Sequence, residues 1–209
     1  MIKILDQGAD NFINIDRDVE KSTTGEASIT IVGNVNRVTI GKGVKLPRCI
    51  IEIRGNHSDI LIGAGANVNG VLRCRSDKAT IEIGAATTVL NATITVHEPG
   101  AVRIGRDCVI GGEVRMDCSD MFSIIDVATR RRVNPPADIV LEDHVWLGFR
   151  AMVWKGVRIG TGAVVSAGAS VSQDVAPHCL VDGIPARVLR EGVTWNRKLL
   201  PLGVDLPLD

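Results

Sequence analysis

A chain of 209 residues with 24 Lys+Arg against 24 Asp+Glu carries no net charge, and it has no basic block or stripe that would neutralise nucleic-acid phosphates. Hydrophobic residues make up 45%, but aromatics are only 3% and Tyr is absent, which excludes a core built around large rings. Ile, Val, Leu and Ala must fill the interior, as they do in thin repetitive folds. The opening stretch MIKILDQGADNF holds acidic residues and no long apolar run, so neither a signal peptide nor a membrane span is expected there. The cysteines Cys49, Cys74, Cys108, Cys118 and Cys179 are odd in number and lack CxxC spacing. That pattern points to a reduced protein of the cytoplasm.

In the N-terminal half an Ile-Gly pair recurs at Ile40-Gly41, Ile62-Gly63, Ile83-Gly84 and Ile104-Gly105, at intervals of 22, 21 and 21. Segments such as SITIVG and ATIEIG show the β-branched alternation of strands. Taken alone this half fits a β-sandwich with spaced strands about as well as it fits coils of 18 residues with a few more bulging at a corner.

From Ile104, steps of six reach Ile110 and Met116, and then the pattern stops until Leu141. The intervening residues 117–138 are largely polar, contain the run Arg130-Arg131-Arg132, and carry Pro135-Pro136 near their end. A long insertion inside a regular repeat usually projects from one face and is functional.

Between Leu141 and Ala176 the period is strict. Leu141, Leu147, Val153, Ile159, Val165 and Val171 are six apart, and four positions after each stands Val145, Ala151, Val157, Ala163, Ala169 or Val175. Neither a 3.6-residue helix nor a two-residue strand repeat produces a beat of six. Six residues with one inward aliphatic make one flat side of a triangular coil, and the small residue fits the corner. Residues 18 apart then stack at roughly the 4.8 Å spacing of paired strands. The sandwich alternative fails on this stretch. The expected fold is therefore all-β, a left-handed parallel β-helix over residues 1–183 with a projecting loop at about 117–138. Residues 184–209 are expected to form a cap in which PARVLREGV begins a short helix, with Pro185 in its first turn.

The stretches IGRDCVI, SD, SIID, RVNP, EDHVWLG, KGVRIGTGAVVSAGASVSQDV and GIPARVL resemble the hexapeptide-repeat acetyltransferases. Within them the chain looks most like the branch that O-acetylates sugars of capsule, lipopolysaccharide or sialic-acid type. The likeness is close over residues 102–195 and loose before them. The resemblance implies acetyl-CoA as co-substrate, no metal, and a homotrimer whose active sites lie in grooves between neighbouring solenoids. It also implies a histidine that acts as general base on the acceptor hydroxyl, and backbone N–H groups that stabilise the oxyanion.

At the base position this chain departs from its relatives. They read Ser-Asp-x-His-Ser-Ile, whereas the run here is Ser119-Asp120-Met121-Phe122-Ser123-Ile124. A phenyl ring accepts no proton, and Asp120 loses the imidazole it would orient. His144, in DHVWLG, is one replacement to weigh; His57, His97 and His178 read as surface or subunit-contact residues. Trp146 matches an indole that lines the sugar site in relatives, with packing against a neighbouring subunit as the alternative. The implied coenzyme contacts are Phe149, Ala167 eighteen residues later, Ser172, Arg187 and Arg190, the arginines meeting phosphates or forming salt bridges in the cap. Two readings follow: a sugar O-acetyltransferase with a weakened or relocated base, or an inactive relative serving as a coenzyme-binding or assembly subunit. A zinc enzyme on this solenoid needs three converging histidines, and no pair of the four here has close spacing.

Overall fold

The computed structural model describes residues 2–19 and 25–203. It is an all-β parallel solenoid of about eight turns, a left-handed β-helix with three sides. The first side stacks Ile2–Asp6, Ala27–Ile31, Cys49–Ile53, the second half of Asn67–Cys74, the second half of Thr88–Val96, Arg115–Asp117, Met152–Trp154 and Ser170–Val171. The second runs from Phe12–Ile15 through Arg37–Ile40, Asp59–Ile62, Ala79–Ile83, Gly100–Ile104 and Ile139–Leu141 to Arg158–Ile159. The third carries the first halves of Asn67–Cys74 and Thr88–Val96, then Val109–Ile110, Trp146–Leu147, Val164–Val165 and Cys179–Gly183.

The six-residue beat maps onto this geometry slot for slot. All twelve repeat positions from Leu141 to Val175 are buried. The Ile-Gly pairs are stacked rungs of the second side: Ile40 pairs with Ile62, Ile62 with Ile83, Ile83 with Ile104, and Ile104 with Leu141. The extra residues of these coils do not sit at a corner alone. They also lengthen the strands, to five residues in Cys49–Ile53 against three in Met152–Trp154. The interior is aliphatic throughout, and none of the Phe or Trp side chains is among the buried residues. The five cysteines are free and buried in it, and loss of hydration pushes the thiols of Cys49 and Cys74 up to about 12.

Corners are made by residues in the left-handed region, among them His57, Asp107, His144, Arg150 and His178 with φ between 53° and 59°. Gly70, at φ 122°, is where one long strand turns from the third side to the first; a Cβ there would lie 2.1 Å from the carbonyl oxygen of Ala92. The corner between the first and second sides is held in the early coils by a ladder in which Asn36 Nδ2 donates to Asn11 Oδ1 and the Ser58 N–H donates to Asn36 Oδ1.

The C-terminal expectation needs correction. Residues Ala186–Glu191 form a β-strand, not a helix, antiparallel to Cys179–Gly183 across a turn containing Gly183 and Pro185. The last coil exposes a row of unpaired backbone groups, and a returning strand satisfies them where a helix would leave them open. Residues 204–209 of the expected cap lie outside the described residues. No described helix is long and apolar enough to cross a membrane.

Candidate active site

The projecting loop leaves the corner between the first and second sides. In the preceding coil that corner is short, passing from Val96 through His97, Glu98 and Pro99 to Gly100; in the next it runs from Asp117 to Ile139. Both loop stems are tied to Glu98. Its carboxylate accepts the Ser119 hydroxyl at 2.5 Å and the Arg132 guanidinium at 2.5 and 2.7 Å, which hold it down to about 2. The exit is pinned by Asp138, which accepts the Ala101 N–H and Arg103 Nη1, each at 2.8 Å.

Inside the loop Asn134 acts as the organiser. Its Nδ2 donates to Asp120 Oδ2 and to the Phe122 carbonyl, each at 2.8 Å, while its Oδ1 accepts the Ile124 N–H. Asp120 is further paired with Lys155 Nζ at 2.5 Å, and the hydrogen bonds from Lys155 and Asn134 hold its carboxyl below the usual range. Asp120 is therefore an anchor of the loop. Phe122 is 79% exposed, with Met121, Ile124, Ile125, Val127 and Val133 exposed on the same loop.

His144 does not join this group. It sits at the corner between the second and third sides, with Nδ1 2.7 Å from Asp107 Oδ2 and Nε2 3.0 Å from the Trp195 carbonyl. Both ring nitrogens face acceptor oxygens of the chain itself, and neither is turned toward the loop. That geometry engages both ring nitrogens of His144, the residue weighed above as a replacement base. Burial raises Asp107, but hydrogen bonds from His144 and Arg197 outweigh it and hold the carboxyl below its ordinary value. His57 and His178 are exposed corner residues.

Trp146 points outward from the third side, 6.1 Å from the Trp195 ring. That side lies opposite the corner from which the loop springs, so Trp146 and Phe122 are not neighbours within one chain. Phe149, at the corner between the third and first sides, lies beneath the Arg150 guanidinium at 4.8 Å. Its carbonyl accepts the Gly168 N–H at 2.8 Å, and Ala167 is exposed one coil on, as the 18-residue spacing requires. Ser172 is exposed just past the last strand of the first side. Arg187 and Arg190 are exposed on the terminal strand, and neither has an ion pair among the described residues.

One feature of the site escaped the sequence reading. His97 Nε2 lies 3.6 Å from Asp117 Oδ1, and each side chain is only 21% exposed. The two belong to successive coils at the foot of the loop, a pairing that 20 residues of separation conceal. Asp117 and Thr95 are in register, and Asp117 is in register with Trp154 on the other side.

A family model for the hexapeptide repeat of succinyl-transferase matches residues 138–173. The polysialic acid O-acetyltransferase of Neisseria meningitidis is 31% identical over 93% of this chain and 89% of its own length. The chain belongs to the hexapeptide-repeat acetyltransferases. It stands close to the capsule O-acetyltransferase branch of that family, and it is an acyltransferase by kinship. A solved structure of polysialic acid O-acetyltransferase superposes with a TM-score of 0.86 at 29% identity, covering 94% of this chain and 92% of the other. A second, of a polysialic-acid-specific acetyltransferase, gives a TM-score of 0.80 at 24% identity over 94% and 89%, and bears on the fold alone.

Proposed function

We propose that this protein transfers an acetyl group from acetyl-CoA to a hydroxyl of a sialic-acid-type sugar polymer or its precursor. The observation that carries the reading is the similarity to a polysialic acid O-acetyltransferase over more than nine-tenths of this chain, at 93% by sequence and 94% by structure. Such an acceptor bears a carboxylate on each residue. Arg75 and Arg115 stand beside the His97–Asp117 pair on the first side, exposed and without an ion pair among the described residues. Unpaired guanidinium groups at that place suit an anionic chain.

The working form is a homotrimer in this reading. Asp120 and Phe122 lie at one corner and Trp146 on the opposite side, so a groove containing both needs two copies. The exposed apolar side chains of the loop supply surface for a neighbour to cover. Acetyl-CoA would lie along the groove with Phe149, Ala167 and Ser172 beside it and Arg187 and Arg190 toward its phosphates. Cytoplasmic location fits a protein that draws on acetyl-CoA and carries buried free thiols.

A second reading is favoured by Phe122 itself: a relative without acetyl transfer, retaining trimer and coenzyme as a binding or assembly subunit. Incubation with radiolabelled acetyl-CoA and polysialic acid separates the two. Label in the polymer is expected. No label, with coenzyme binding retained in calorimetry and transfer appearing only in Phe122→His, would establish the second reading; no binding at millimolar acetyl-CoA would reject both.

A further inference from the structure

We propose that His97, oriented by Asp117, is the general base of this protein and takes over the role that the loop position has lost. The inference rests on the acetyltransferase reading above and names the residue that would carry its chemistry.

The placement comes first. His97 stands at the corner from which the loop departs one coil later, and the two coils are tied together there. The Cys118 thiol lies near the His97 and Glu98 backbone, and Glu98 binds both loop stems through Ser119 and Arg132. Any acceptor hydroxyl brought to the foot of the loop meets this corner. Among the four histidines, His57, His144 and His178 are in the left-handed region, and His144 has both nitrogens engaged. His97 differs on both counts. Its Nε2 faces the Asp117 carboxylate at 3.6 Å, and its Nδ1 makes no hydrogen bond among the described residues. A carboxylate on one nitrogen and an open lone pair on the other is what a general base needs. The distance is that of a loose pair, and such contacts tighten when substrate excludes water.

The surroundings favour a neutral imidazole. Burial lowers His97, and the cations of Arg75 and Arg73 act in the same direction; Asp117 and Glu98 oppose them. Asp117 is itself raised by burial, with His97 and Arg115 acting against that. In the reaction Nδ1 of His97 takes the proton of the sugar hydroxyl as its oxygen forms the bond to the thioester carbonyl carbon. The C–S bond then breaks, and the coenzyme thiolate recovers the proton from the imidazolium. Asp117 is a positioning residue that holds the ring and offsets its transient charge.

The test compares wild type with His97→Gln and Asp117→Asn, using acetyl-CoA and polysialic acid. His97→Gln is expected to lower kcat by about 10²–10⁴-fold, with calorimetric acetyl-CoA affinity and melting temperature unchanged. In wild type, kcat/KM should rise with pH through a value below the ordinary histidine range, and this limb should vanish in His97→Gln. Asp117→Asn should fold normally, lose less activity and move the limb. Full activity in His97→Gln beside an active wild type overturns the base and leaves the acetyltransferase reading standing. An inactive wild type overturns both.

Discussion

The His144 imidazole lies parallel to the Trp195 indole, with ring centroids 4.2 Å apart and planes within 6°. The two are joined twice more, for Trp195 Nε1 donates to the His144 carbonyl at 2.8 Å and His144 Nε2 meets the Trp195 carbonyl. Arg197 continues the strap, reaching Asp107, Thr88 Oγ1 and the Ala86 carbonyl. A residue that the motif places beside an active site is here the socket for the chain's end. Trp195→Ala removes the stack and a hydrogen bond, and should cost about 1–3 kcal/mol. Thermal unfolding measures it. His144→Ala should lower stability similarly while keeping acetyl transfer; loss of transfer in a folded His144→Ala protein would count against this assignment.

Core rungs carry the fold's stability. Ile81 is fully buried and paired with rungs above and below. Ile81→Ala should cost about 2–5 kcal/mol in urea unfolding, because a stacked solenoid collapses poorly around a cavity. Gly70→Ala should be no milder, since it forces a β-carbon against the Ala92 carbonyl in a conformation that alanine resists.

Anchoring of the loop depends on ionised Glu98. Its carboxyl is held below the free value, so the folded state binds fewer protons than the unfolded one near pH 4. The anchoring is fully present above the ordinary glutamate range near 4.5 and disappears as pH falls toward about 2. Glu98→Gln should reproduce the loosened loop at neutral pH. Trypsin cleavage after Arg130, Arg131 or Arg132 reads it out: faster cleavage in the variant than in wild type is expected, and equal rates would refute the tether.

Arg75 and Arg115 should act on acceptor binding, and through their charge on the pH limb set by His97 and Asp117. Arg75→Ala is expected to raise KM for polysialic acid about two- to fivefold, as an exposed charge contact worth under about 1 kcal/mol would. KM for acetyl-CoA should not change. Added salt should weaken acceptor binding in wild type more than in the variant. A variant equally sensitive to salt would remove Arg75 from the acceptor track.

Some of this molecule is periodic, and periodicity is visible in one dimension. Leu141 to Val175 announces six-residue sides because each inward aliphatic must recur whenever the backbone completes a flat face. Ile40, Ile62, Ile83 and Ile104 do the same at a longer interval, and every one is a rung. The C-terminal segment carries no such signal, because PARVLREGV has no periodic constraint: its strand exists only because Cys179–Gly183 presents an open edge.

The site divides along the same line. That the loop exists, that it begins near residue 117, and that Phe122 stands in its Ser-Asp-x-x-Ser-Ile run are properties of the string of residues. Which histidine keeps a free nitrogen was decided by the stacking of coils. Winding the chain brings His97 to Asp117 and closes His144 between Asp107 and Trp195, 51 residues further along. Hydrogen bonds act over about 3 Å in space, and a solenoid sets its spatial neighbours by coil length, which varies here from 16 to 37 residues between paired strands. The Ile-Gly spacing and the inserted loop announce that variation, but not which side chains it brings within that reach, so the chemistry of each histidine waited on the fold.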